Sequence, residues 1–130
     1  MRMTARLAAK VFAVVAAIVV VFQFALALGA PWGEFTMGGG TKGALSSPLR
    51  LAAGLQAFLI IGFIAIVLAR AGILRATQRR VLNGMSWSVT ALFAVSMVLN
   101  LITPSAQERV LWFPVTLILF LAAFRVAASR

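Results

Sequence analysis

VFAVVAAIVVVFQFALALGA, residues 11–30, holds 20 positions, no charge and one strongly polar side chain, Gln23. At about 1.5 Å per residue this run is about 30 Å long as a helix, the thickness of bilayer hydrocarbon. Its apolar residues fall on every face, whereas a surface helix of a water-soluble domain carries one apolar stripe. Three further uncharged runs follow at residues 51–69, 81–102 and 110–124. The first two lie within the roughly 17–25 residues that cross a bilayer. The last is 15 residues long. Arg125 extends it, because an arginine stem can lie along apolar surface while its head reaches the interface. With no water to satisfy backbone groups, such runs must be helices. The expected fold is all-α: an integral membrane four-helix bundle, up-down-up-down, forming one domain over residues 1–130. Its spans are expected near 8–30, 49–70, 80–102 and 106–127.

Local signals agree with these limits. Gly29 followed by Pro31 is a helix stop. Ser47 before Pro48 reads as a cap followed by proline at the first helical position. Gly72 lies just past the second span, and Thr103-Pro104 ends the third. Ser105-Ala106-Gln107-Glu108 has the spacing of a capping box. Alanines 9, 13 and 17, and Gly54, Gly62, Ala65 and Ala69, are candidates for close helix packing, within the chain or in a dimer.

Composition narrows the chemistry. The chain is 63% hydrophobic and 11% charged, with mean hydropathy +1.07, against about half apolar and a quarter charged in a soluble domain. It contains no Cys, His, Asp or Tyr, and its two acids are Glu34 and Glu108. No metal or haem ligand set is available in it, so neither metal nor cofactor is expected. Nucleophilic catalysis would have to proceed without a histidine base. The net charge of +10 does not form a basic stripe interleaved with aromatics, so no nucleic-acid partner is expected.

The charge instead sorts by side. The N-terminal segment, the 70–80 connection and the C-terminus together carry nine basic residues and no acid. The other side carries Lys42, Arg50 and Arg109 with both glutamates. Basic loops stay in the cytoplasm, which places both termini there. Trp32 and Trp112 then anchor the outer interface and Trp87 lies nearer the inner one. A competing reading takes the basic start, the apolar run and the small residues near Ala30 as a signal peptide, although the run exceeds the usual ~7–15 residues.

Polar residues inside the spans mark a layer. Counted inward from the outer ends at about 1.5 Å per residue, Gln23, Gln56, Ser96 and Thr116 all lie ~9–10 Å deep, with Asn100 one turn shallower. One reading is interhelical hydrogen bonding that fixes helix register. The other is the floor of an outward-facing pocket lined by Gln23, Gln56, Asn100 and Thr116. The loop from Ala30 to Gly40, rich in glycine and carrying Trp32, Glu34 and Phe35, is either a tight re-entry loop or a lid over that layer. Its glycines match no phosphate-binding loop, since neither Gly-Lys-Ser/Thr nor a preceding strand is present.

Gly29-Ala30-Pro31-Trp32-Gly33-Glu34 with Gly38-Gly39 forms one distinctive stretch. Asn100, Thr103-Pro104-Ser105, Glu108-Arg109, Leu111-Trp112 and Pro114-Val115 form another. Together they resemble a group of small, uncharacterised bacterial four-span membrane proteins. The resemblance implies a bacterial plasma-membrane protein with its distinctive residues on the outer face, and it carries over no functional residue. Small multidrug exporters, by contrast, place an acid inside the first span, and residues 11–30 have none.

Three functional readings follow. The first is a non-enzymatic structural or accessory membrane protein, with the bilayer and a membrane-protein partner or second copy as its contacts. The second is a small-molecule or lipid-handling protein with a pocket formed by Gln23, Gln56, Asn100, Thr116, Trp32 and Glu34. The third is a membrane enzyme using Glu34 as acid or base.

Overall fold

The computed structural model describes residues 3–36 and 43–129, with the side chain of Glu34 outside that description. Lys42 and the glycines 38–40, singled out above, lie outside the described residues, as do Arg2 and Arg130. Among the described residues there are four α-helices: α1 (Ala5–Ala27), α2 (Ser47–Arg70), α3 (Arg79–Ile102) and α4 (Ala106–Ala127). A 3-10 turn, Gly33–Phe35, lies between α1 and α2. Each of the four helices is long and apolar enough to cross a membrane.

The helix ends follow local chemistry. Thr4 caps α1 by accepting a hydrogen bond from the Leu7 amide. Ser105 caps α4 by accepting from the Glu108 amide at 3.2 Å, one of the two bonds of the expected capping box. α1 stops at Ala27, three residues before the expected limit of 30, because Gly29 sits at φ +103° and turns the chain out of the helix. A side chain at Gly29 would also meet the Arg50 guanidinium, whose Cζ lies 3.6 Å from the Cβ position. Arg50 Nε donates to the Ala27 carbonyl at 2.9 Å, so α2 satisfies one of the open carbonyls at the end of α1. The cap of α2 is Ser46, one residue before the expected Ser47, with Pro48 in the first turn. Gly72, at φ +83°, terminates α2 as expected.

α1 packs closely on α2, and α3 on α4, while α1 also lies against α4. The α2–α3 side is the least closely packed of the four sides of the bundle. The core stripe of α1 is Ala8, Phe12, Ala16, Val19, Gln23 and Leu26, all buried and spaced three or four apart, as one helix face requires. Phe12 is fully buried and meets Phe93 edge-on at 5.5 Å. Phe63 meets the same ring at 6.0 Å, so three helices share one aromatic cluster. Leu119, Ala123 and Val126 close it from α4.

Small residues play a narrower part than expected. Gly54 packs on Ala27, with 3.7 Å from its Cβ position to the Ala27 Cβ. Gly62 has nothing within 4 Å, and Ala17 and Ala65 are exposed. The Ala9–Ala13–Ala17 row diverges from the true packing face because a four-residue step drifts around a 3.6-residue helix.

Hydrogen bonds gather alternate helix ends. Arg125 Nε donates to the Met3 carbonyl at 2.9 Å. Arg70 reaches Asn83 Oδ1 at 3.3 Å and also the carbonyls of Ala127 and Ser129. The start of α1, the end of α2, the start of α3 and the end of α4 therefore share one end of the bundle, here called the termini end. The opposite end, which carries the 28–46 connection, is called the roof end. Only 22% to 39% of the most apolar window of each helix is buried inside the molecule. The remaining apolar surface is far more than a water-soluble monomer exposes, and it matches a hydrocarbon surround.

Candidate functional site: a polar cavity beneath the roof

A cavity of about 320 Å³ lies between the helices at the roof end. Its floor is Val19 and Gln23 of α1 and Thr116 of α4, all buried. Its walls are Gln56, Ile60 and Phe63 of α2 and Phe93, Ser96 and Asn100 of α3. Leu59 and Leu92, both exposed, stand at its rim with Gln56. Glu108 and Trp112 of α4 and Thr36 of the connection complete it. Ligand pockets commonly run from about 300 to 1,000 Å³ and combine apolar walls with a few placed polar groups.

The roof is pinned by aromatic contacts. Trp32 stacks on Phe22 at 5.7 Å, and Phe22 meets Trp112 edge-on at 4.8 Å. Trp112 Nε1 donates to the Phe35 carbonyl, bringing the 3-10 turn down onto α4. Thr36, the next residue, is buried and faces the cavity. Pro31 and Gly33 place this turn directly after α1, so the aromatic pair Trp32 and Phe22 can meet across the helix end.

The polar side chains differ in what they leave unused. Thr116 Oγ1 donates to its own helix, at 2.7 Å from the Trp112 carbonyl. Asn100 Nδ2 likewise donates to the Ser96 carbonyl at 2.8 Å. Gln23 differs: it is 9% exposed, and its Oε1 has no hydrogen-bond partner. A buried amide oxygen without a partner costs about 1–3 kcal/mol, so its persistence at a cavity wall is the feature that calls for a ligand or bound water.

Sequence reasoning placed Gln23, Gln56, Asn100 and Thr116 in one layer, and all four line this cavity. Trp32 is not among its lining residues; it acts one step away, through Phe22 and Trp112. The backbone of Glu34 lies in the roof turn, while its side chain is outside the description. Thr36, Glu108 and Trp112 are among the lining residues that were not put forward from sequence as pocket residues. Glu108 had been assigned to capping and Trp112 to interface anchoring. Both roles are compatible with a cavity position, because the first two turns of α4 pass beneath the roof. No group of three or more His, Cys, Asp or Glu able to hold a metal occurs among the described residues.

The chain matches no protein-family profile, no curated protein and no solved structure.

Proposed function

We propose that the chain is a multi-pass plasma-membrane protein, both termini cytoplasmic, that holds a small amphipathic molecule in the cavity beneath the roof. The observation that carries this reading is the convergence of Gln23, Gln56, Asn100 and Thr116 on one cavity in which the Gln23 Oε1 is left unpaired. If these groups served only as packing glue, they would bond to one another across the helices. Thr116 and Asn100 bond within their own helices instead. The basic residues at the termini end support the orientation, which sets the cavity in the outer leaflet.

The test is native mass spectrometry of the tagged full chain extracted gently from its own membrane. One specific adduct on the wild-type chain, lost in the Gln23→Leu variant, is the expected result. A defined protein partner with no small-molecule adduct would overturn it and favour an accessory subunit.

A further inference from the structure

Resting on the cavity reading above, we infer that the ligand is a phosphate-free amphiphile whose head donates hydrogen bonds, a long-chain alcohol or acylglycerol, and that it enters from the bilayer between α2 and α3.

Trp112 has one side-chain donor, and the Phe35 carbonyl takes it. Thr116 has one, and the Trp112 carbonyl takes it. The Asn100 amide spends an N–H on Ser96, which also fixes its Oδ1 as the opposite atom of the group. The amides of Gln23 and Gln56 and the hydroxyls of Ser96 and Thr36 also carry donors, but the buried lining atom left without a partner is an acceptor, Gln23 Oε1. A head bearing hydroxyl groups supplies the matching donors.

No Lys or Arg lines the cavity among the described residues. The arginines nearest to the lining in sequence, Arg50 and Arg109, are not among the lining residues. Arg109 donates to the Thr103 carbonyl and Arg50 to that of Ala27. A phosphate brought into this space would be desolvated beside Glu108 without a cation, which is strongly unfavourable. Phospholipids, the commonest amphiphiles around the protein, are thereby discriminated against.

On the roof side the cavity is bordered by Thr36 and Trp112, and Trp112 is held by Phe22, on which Trp32 stacks. Below it the Phe12–Phe93–Phe63 cluster fills the bundle. The sparse side lies between α2 and α3, where exposed Leu59 and Leu92 flank the cavity. An acyl chain leaving by this gap passes between Leu59 and Leu92, beside the Gln56 amide at the rim, into the hydrocarbon.

The experiment uses the full chain in phosphatidylcholine nanodiscs, read by native mass spectrometry. Three probes are offered separately: monooleoylglycerol, its dimethyl ether, and lysophosphatidate with the same chain. They share one tail and differ in O–H donors or in phosphate. Monooleoylglycerol is expected to be retained, and the ether about tenfold less, the value of one such hydrogen bond. Lysophosphatidate is expected to show no specific retention. Gln23→Leu lowers retention of the alcohol about tenfold, and Asn100→Leu is the second variant should the first fail to fold. Equal retention of the ether or of lysophosphatidate overturns the donor-headed class. If that retention still falls in the variants, the cavity itself stands; if it ignores both variants, the cavity reading falls too. Retention of none of the three overturns the class, and the native adduct then decides the cavity reading by its own dependence on Gln23.

Discussion

Among the described residues two buried side-chain atoms lack partners, Gln23 Oε1 and Ser86 Oγ, and they are not equivalent. Ser86 is fully buried in α3 and is not part of the cavity lining. Its hydroxyl is a small packing residue, and Ser86→Ala is expected to leave ligand retention unchanged. Gln23 carries an unpaired acceptor at the cavity floor, so Gln23→Leu removes a cost of about 1–3 kcal/mol in the empty protein. Thermal unfolding in ligand-free detergent is therefore expected to show Gln23→Leu at least as stable as wild type. Phe12→Ala, which empties the centre of the aromatic cluster, is expected to lose about 3–5 kcal/mol in the same assay. A large loss of stability in Gln23→Leu would mean that its amide holds the helices together, and the packing-glue reading would gain.

At the scale of elements, the roof and the α2–α3 gap make separate predictions. One tie of the roof to α4 is the indole N–H of Trp112. Trp112→Phe keeps the ring contact with Phe22 but deletes the bond to the Phe35 carbonyl, at about 0.5–1.5 kcal/mol. Hydrogen exchange is expected to quicken over residues 32–36 while α1 and α4 keep their protection. The gap predicts a steric effect. Leu92→Trp places a larger side chain at an exposed rim position, where it costs little stability. It is expected to slow uptake of a bilayer-borne probe more than it lowers final retention, as followed by the time course in nanodiscs. Unchanged uptake would point to access from the roof side.

For the whole molecule, orientation is the property to check. The chain has no cysteine, so single cysteines can report accessibility without a prior mutation. Ala44→Cys, in the roof connection, is expected to react with a membrane-impermeant maleimide on intact cells. Ala76→Cys, between α2 and α3, is expected to react only after permeabilisation. The reverse pattern would invert the protein and move the cavity to the inner leaflet. Arg70 ties α2, α3 and the end of α4 together at the termini end. Arg70→Ala is expected to quicken exchange over residues 126–129, since hydrogen bonds to a charged group contribute about 1.5–3 kcal/mol.

The helices themselves were legible from residues alone. A 20-residue uncharged run has one stable backbone solution in hydrocarbon, and that constraint is local. Thr4, Ser105, Gly29 and Gly72 mark their ends by equally local chemistry, which is why the observed limits differ from expectation by about a turn at most. The depth of Gln23, Gln56, Asn100 and Thr116 also followed from counting at a fixed rise per residue. Which way each side chain faces did not. Ala17 and Gly62 fitted a packing pattern and lie on open surface, because hydrophobicity distinguishes no face of a helix that is apolar all round. The cavity needed the tertiary structure for the same reason. It exists because α2 and α3 stay apart while the other neighbours close up, and because an indole of α4 catches a carbonyl 77 positions earlier in the chain. Rise and hydropathy act along one dimension and set the length and number of the helices. Rotation about each axis and the spacing between axes are settled only when four helices share one core.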